Sequence, residues 1–250
     1  MKHFLTCIAL SLAASGSAAT PLWLRDVQIS PSGEEIAFCY KGDIYKVAVN
    51  GGQARQLTTT PSYECSPVWS PDGKQIAFAS DRNGNMDLFV MPAEGGTAKR
   101  LTYHSASEIP SAFTPDGKEV LFSAALQDPA TSALFPTATM TELYAVPVAG
   151  GQVRQVLGTP AEMVSFDKSG KRFLYQDRKG FEDEWRKHHT SSVTRDIWLY
   201  DVASGKHTNL TDRPGEDRNA VFAPDGETVY FLSERETKSI NVYSFAPDGS

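Results

Sequence analysis

At 250 residues, with 30 acidic against 24 basic side chains and a net charge of −6, the chain shows no basic cluster able to track a phosphate backbone, which argues against nucleic acid as a partner. Beyond the first twenty residues no stretch approaches the roughly 20 consecutive apolar residues of a membrane-spanning helix, so no membrane span is expected. No motif in the chain points to a cofactor.

Residues 1–19 have the layout of a secretory signal peptide. Lys2 and His3 precede an apolar run from Phe4 to Ala14, and small residues follow through Ser17-Ala18-Ala19. Cleavage is expected after Ala19, with a periplasmic or secreted location. Leu5-Thr6-Cys7 sets its cysteine ahead of most of the apolar run, unlike a lipid-attachment signal.

From residue 20 onward one pattern recurs. Ser70-Pro71-Asp72-Gly73-Lys74-Gln75-Ile76-Ala77-Phe78 has counterparts whose turn glycines are Gly33, Gly117, Gly170 and Gly226, spaced by 40, 44, 53 and 56 residues. Each unit then opens a second β-rich run with an acid or amide, at Asp43, Asp87, Glu142, Asp196 and Asn241. A third landmark, a basic or amide residue before Leu-Thr, stands at Gln56-Leu57-Thr58, Arg100-Leu101-Thr102 and Asn209-Leu210-Thr211, and decays to Gln155-Val156-Leu157 in the third unit. Short runs rich in β-branched and aromatic residues, bounded by Gly, Pro, Asp and Asn, predict antiparallel hairpins.

Counting the run before each turn, such as Val68-Trp69-Ser70, every unit holds four strands, A to D. Such a unit cannot bury both of its apolar faces alone, and neighbours must stack around an axis. The expectation is therefore an all-β fold, a β-propeller of four-stranded antiparallel blades with four complete blades and part of a fifth, at about 23–58, 59–102, 103–157, 158–211 and 212–250. An open ring exposes a strand edge, which reads as part of a longer polypeptide. Cys39 and Cys65 follow the leader, and the sequence leaves a disulfide and two buried thiols equally open.

The distance from the last aromatic of strand B to the start of strand C is 5, 9, 20, 21 and 10 residues in successive units. Two adjacent blades thus carry long loops at the same position, and long loops in compact repeats are commonly functional. Propeller geometry places the B to C and D to A loops at one end of the ring. The third-unit insertion, Leu126 to Thr141, is rich in Pro, Ala and Thr and suits packing on a neighbouring domain. The fourth gathers Trp185, Arg186, His188, His189 and Arg195, and the same face receives Tyr103, His104, Glu216, Asp217 and Arg218. These ten residues form the candidate site for a substrate or partner, against the simpler reading of a loop held by its own ion pairs and a Trp anchor.

No catalytic centre is expected. Ser191 near His189 and Asp196 has only sequence closeness, and no Gly-x-Ser-x-Gly elbow supports a nucleophile. His188-His189 lacks the spacing of a zinc pair. Asp81 to Asp87 alternates oxygen ligands but has Pro92 where a calcium loop needs a bidentate glutamate, so a turn centred on Asn83-Gly84 is the expectation. No metal is assigned.

With these features in view, the chain resembles the amino-terminal propeller of exported bacterial tricorn-type proteases of the S41 peptidase family. The resemblance rests on Pro21-Leu22-Trp23-Leu24-Arg25, Leu101-Thr102-Tyr103-His104-Ser105, the stretch from Glu184 to Trp198, and Gly215-Glu216-Asp217-Arg218-Asn219, over a Pro-Asp-Gly repeat shared with TolB and the dipeptidyl-peptidase propellers. Ser32 and the Phe166 to Gly170 segment depart from that turn. The resemblance implies a six-bladed ring in the full-length protein, and a second propeller, a PDZ module and a serine peptidase domain downstream. It also implies passage or docking of peptides or unfolded polypeptide, with possible homo-oligomers. Its catalytic residues fall outside these positions. Two alternatives carry over: a TolB-like periplasmic binding protein without activity, and the propeller of a prolyl-oligopeptidase-type enzyme.

Overall fold

The computed structural model describes residues 23–126, 140–180, 191–236 and 239–246. They form five antiparallel sheets in chain order. The first holds β1 (Arg25–Ile29), β2 (Glu35–Tyr40), β3 (Asp43–Ala48) and β4 (Arg55–Gln56), and the second β5 (Glu64–Trp69), β6 (Gln75–Ser80), β7 (Asp87–Pro92) and β8 (Lys99–Arg100). The third holds β9 (Glu108–Phe113), β10 (Glu119–Ala124), β11 (Glu142–Pro147) and β12 (Arg154–Pro160). The fourth holds β13 (Glu162–Phe166), β14 (Arg172–Gln176), β15 (Ile197–Asp201) and β16 (Lys206–Asn209), and the fifth β17 (Asp217–Phe222), β18 (Val229–Ser233) and β19 (Asn241–Phe245). Strands pair in sequence order within each sheet, and the first strands β1, β5, β9, β13 and β17 pack on one another in turn. This is the blade arrangement of a propeller, with four four-stranded blades and a fifth of three strands among the described residues. No helix there is long and apolar enough to cross a membrane.

Local chemistry explains the blades. In each A to B turn the glycine has positive φ, for example +69° at Gly73, and its amide donates to the carbonyl of the residue three before it. Ser70 Oγ and Asp72 Oδ1 take the amides of Gln75 and Lys74, at 2.9 and 3.0 Å. Leu-Thr has a use that the pattern alone conceals. The leucine packs toward the core, while the threonine hydroxyl accepts an amide at the start of strand C: Thr58 from Ile44, Thr102 from Leu88 and Thr211 from Ile197, at 2.9, 2.9 and 2.8 Å. The third unit lacks this threonine, and there β12 runs on to Pro160 through two register shifts.

Buried residues fall into four separate clusters, one at each contact between successive blades. Between the first and second blades lie Ile44, Trp69, Phe78, Phe89 and Met91; between the second and third, Leu88, Leu101, Phe113 and Phe122. Cys39 and Cys65 are free, buried thiols in the first of these clusters. Burial pushes both thiols well above the ordinary value, Cys65 to about 11, so neither carries thiolate at neutral pH.

Candidate functional site

The inner wall is built from a repeated bulge. Seven residues before each turn glycine stand Asp26, Ser66, Pro110, Met163 and Asn219. In four blades two residues of strand A oppose one of strand B there, and Asp26, Ser66, Met163 and Asn219 have φ of 49°, 53°, 55° and 54°. Proline cannot adopt that angle, and in the third blade the irregularity moves to Ser111, between the Leu121–Ala112 and Phe122–Pro110 pairs.

These bulges also join neighbouring blades. Asp26 Oδ2 accepts the Ser66 amide at 3.0 Å, and Gln176 Oε1 accepts the Asn219 amide at 3.0 Å. Pro110 has no amide to offer, and Ala79 occupies the place in the second blade that Gln176 holds in the fourth.

All five bulge residues line a cavity of about 760 Å³ at the centre of the fan, together with Gln28, Ser107, Ser123, Glu162 and Arg178. Arg178 Nη1 donates to Glu162 Oε1 at 2.7 Å, which places an ion pair on the wall. None of the described lining residues is aromatic.

The candidate residues divide between two blade junctions on the face made by the B to C and D to A connections. At the second junction Tyr103 is 73% exposed, with the Arg100 guanidinium 4.4 Å from its ring centre. His104 Nδ1 accepts the Ala106 amide at 3.0 Å, and its carbonyl accepts from Asn85 Nδ2 at 2.9 Å. At the fourth junction Arg195 and Glu216 are buried and paired at 2.6 Å. Asp217 is fully buried between Arg213 and Arg235, at 3.3 and 3.5 Å, and burial raises its pKa. Arg218 is half-buried beside them. A ligand approaching this face therefore meets Tyr103 and His104, whereas Arg195, Glu216 and Asp217 point into the protein. Trp185, Arg186, His188 and His189 lie outside the described residues.

Beside Arg195, Asp196 accepts from Lys179 at 2.7 Å and Asp177 lies 3.7 Å from the same ammonium. Burial opposes the Lys179 charge, but the two carboxylates outweigh it and hold its pKa above the ordinary value. Burial raises Asp177, although it accepts the Asp196 amide at 2.7 Å and Trp198 Nε1 at 3.2 Å.

Among the described residues no group of three potential metal ligands comes together. Asp81 to Gly84 is a turn, closed by the Gly84 amide on the Asp81 carbonyl at 2.8 Å, and the Asp81 carboxylate takes the Tyr63 amide at 2.7 Å.

The tricorn protease N-terminal beta propeller domain family matches residues 21–250. The chain belongs to that family. The family propeller overlays a crystal structure of the tricorn protease with a TM-score of 0.74 at 24% identity, covering 92% of this chain and 22% of that one. A putative TolB from Agrobacterium tumefaciens gives a TM-score of 0.73 at 17% identity, covering 92% of this chain and 79% of that one. At these identities both show the fold alone. In sequence, a TolB homolog of Chlorobium luteolum is 32% identical over 77 residues, 31% of this chain and 17% of its own length. Dipeptidyl-peptidase 5 of Porphyromonas gingivalis is 41% identical over 46 residues, 18% of this chain and 7% of its own. The propeller thus corresponds to small parts of these two relatives.

Sequence reasoning missed the cavity, and it named Asp217 without recognising Glu64 and Glu108 as its buried equivalents. A usable signal was present: aligned on their turn glycines, the units put Glu64, Glu108 and Asp217 at one position, nine residues ahead.

Proposed function

We propose that this chain is the non-catalytic propeller region of an exported tricorn-type serine protease, which filters or docks peptides for a peptidase domain elsewhere in the protein. The observation that carries the reading is the family match over residues 21–250. Support comes from the cavity of about 760 Å³, whose wall of bulged backbone with mixed apolar and polar side chains suits an extended polypeptide. The reading includes export, for which the leader-like residues 1–19 are the support, and the ring of six blades that the resemblance implies.

The test is turnover by the full-length protein after Tyr103→Ala, Arg178→Ala and Trp185→Ala. Long-peptide turnover should fall at least about threefold more than turnover of a small substrate, a coupling of roughly 0.7 kcal/mol. Equal losses on both substrates would reject a gating or docking role.

A second reading is a TolB-like protein-binding propeller without activity, for which the local match to a TolB homolog, 32% identical over 77 residues, is the support. Full-length protein that binds a folded partner and hydrolyses no peptide would select it.

A further inference from the structure

The turn glycines give a common frame for comparing the blades. Nine residues before them stand Glu64, Glu108, Ala161 and Asp217, and nine after them Arg82, Leu126, Lys179 and Arg235. In the second blade Arg82 pairs with Glu64, and its Nε donates to Ser80 Oγ at 3.0 Å. The fifth blade repeats the arrangement, with Arg235 beside Asp217 and its Nε 3.0 Å from Ser233 Oγ.

The third blade keeps the acid without either companion. Ala124 stands where the second and fifth blades have serine, and Leu126 where they have arginine. Glu108 is fully buried, and among the described residues neither of its carboxyl oxygens has a hydrogen-bond partner. Thr102 lies near enough to favour the charged form, yet its geometry falls short of a hydrogen bond. Among the described residues, the charges that face Glu108 are Asp87 on β7 and Arg100 on β8. Arg100 is already engaged, 2.7 Å from Asp87 and stacked on Tyr103. The same junction has Pro110 where the first and fourth place a donating amide, and Ala79 where the fourth places the acceptor Gln176, so its inner wall lacks the link made by Ser66 or Asn219.

We propose that Glu108 is a proton-operated latch on the seam between the second and third blades: protonated, it leaves Arg100 to Asp87 and Tyr103, and ionised, it competes for Arg100 and loosens the seam. The chemistry agrees with the geometry. Burial raises the Glu108 carboxyl from 4.5 to about 7, Asp87 adds to the rise, and Arg100 opposes it. The folded state thus holds a proton that the unfolded chain releases near 4.5. Its stabilising contribution is complete below that pH and is lost as the pH climbs to about 7. Because Arg100 carries Tyr103, the latch reaches the face that displays Tyr103 and His104, whatever that face binds.

The test compares melting temperatures of the unmodified chain and Glu108→Gln between pH 5 and 8, with a carbon-13 carboxyl titration of glutamate-labelled protein. The unmodified chain should lose about 5–10 °C more than the variant over that range. One carboxyl resonance, absent from Glu108→Gln, should titrate near 7. Ala124→Ser combined with Leu126→Arg restores the companions of the second and fifth blades and should bring that midpoint below about 5. Parallel melting curves, or a Glu108 midpoint in the ordinary glutamate range in the unmodified chain, would overturn the proposal. The titration reads the site directly, so it decides the matter even if a variant folds poorly.

Discussion

The seam between the fourth and fifth blades and the seam between the second and third handle buried charge in opposite ways. In the former, Arg195 faces Glu216, Lys179 faces Asp196, and Asp217 lies between two arginines. In the latter, Arg100 pairs with Asp87, and Glu108, buried beside them, has no hydrogen-bond partner among the described residues. One repeat can therefore support a seam that is locked by charge and a seam that responds to protons. The difference lies in which companions each blade retains around a common acid.

The largest expected effect strikes the charge-locked seam. Arg195→Ala leaves Glu216 buried without its guanidinium and should cost about 3–5 kcal/mol in denaturant unfolding, whereas Arg195→Met with Glu216→Leu should recover most of that loss. A small loss in the single variant would show that the pair is not desolvated in solution. Next comes Thr102→Val, which keeps the shape but removes the acceptor for the Leu88 amide, and a loss of about 1–2 kcal/mol is expected from the same measurement. Thr58→Val should behave alike, since Thr58 accepts from Ile44 in the same way; a much larger cost at Thr102 would point to a role at Glu108. The smallest effect belongs to the outer surface. Arg154→Ala removes a half-exposed pair with Glu119 and should cost under about 0.5 kcal/mol, with any loss fading at high salt.

The repeat was legible in the sequence because its marks are backbone demands. Gly73 and its equivalents occupy positive φ, and a period of such glycines survives wide variation elsewhere. The inner wall was illegible for the opposite reason. Asp26, Ser66, Pro110, Met163 and Asn219 share no chemical type, only a register, so nothing in their identities announces a bulge. The candidate face was half legible. Charges clustered at Arg195 and at Glu216 to Arg218 signalled something beyond a simple turn, but spacing cannot distinguish a charge displayed to a ligand from one sealed in a seam. Tyr103 was visible as an aromatic in a connection, and its 73% exposure required coordinates. Glu64 and Glu108, unlike Asp217, escaped notice because each reads as an ordinary polar residue opening a strand until the blades are laid over one another.

The four apolar clusters remain distinct, each shared by only two blades. Mechanically the protein is a string of hinges in series, with no single keystone. Strain applied at one hinge dies away over its immediate neighbours, so evolution can retune one hinge for acidity and another for rigidity without renegotiating the whole.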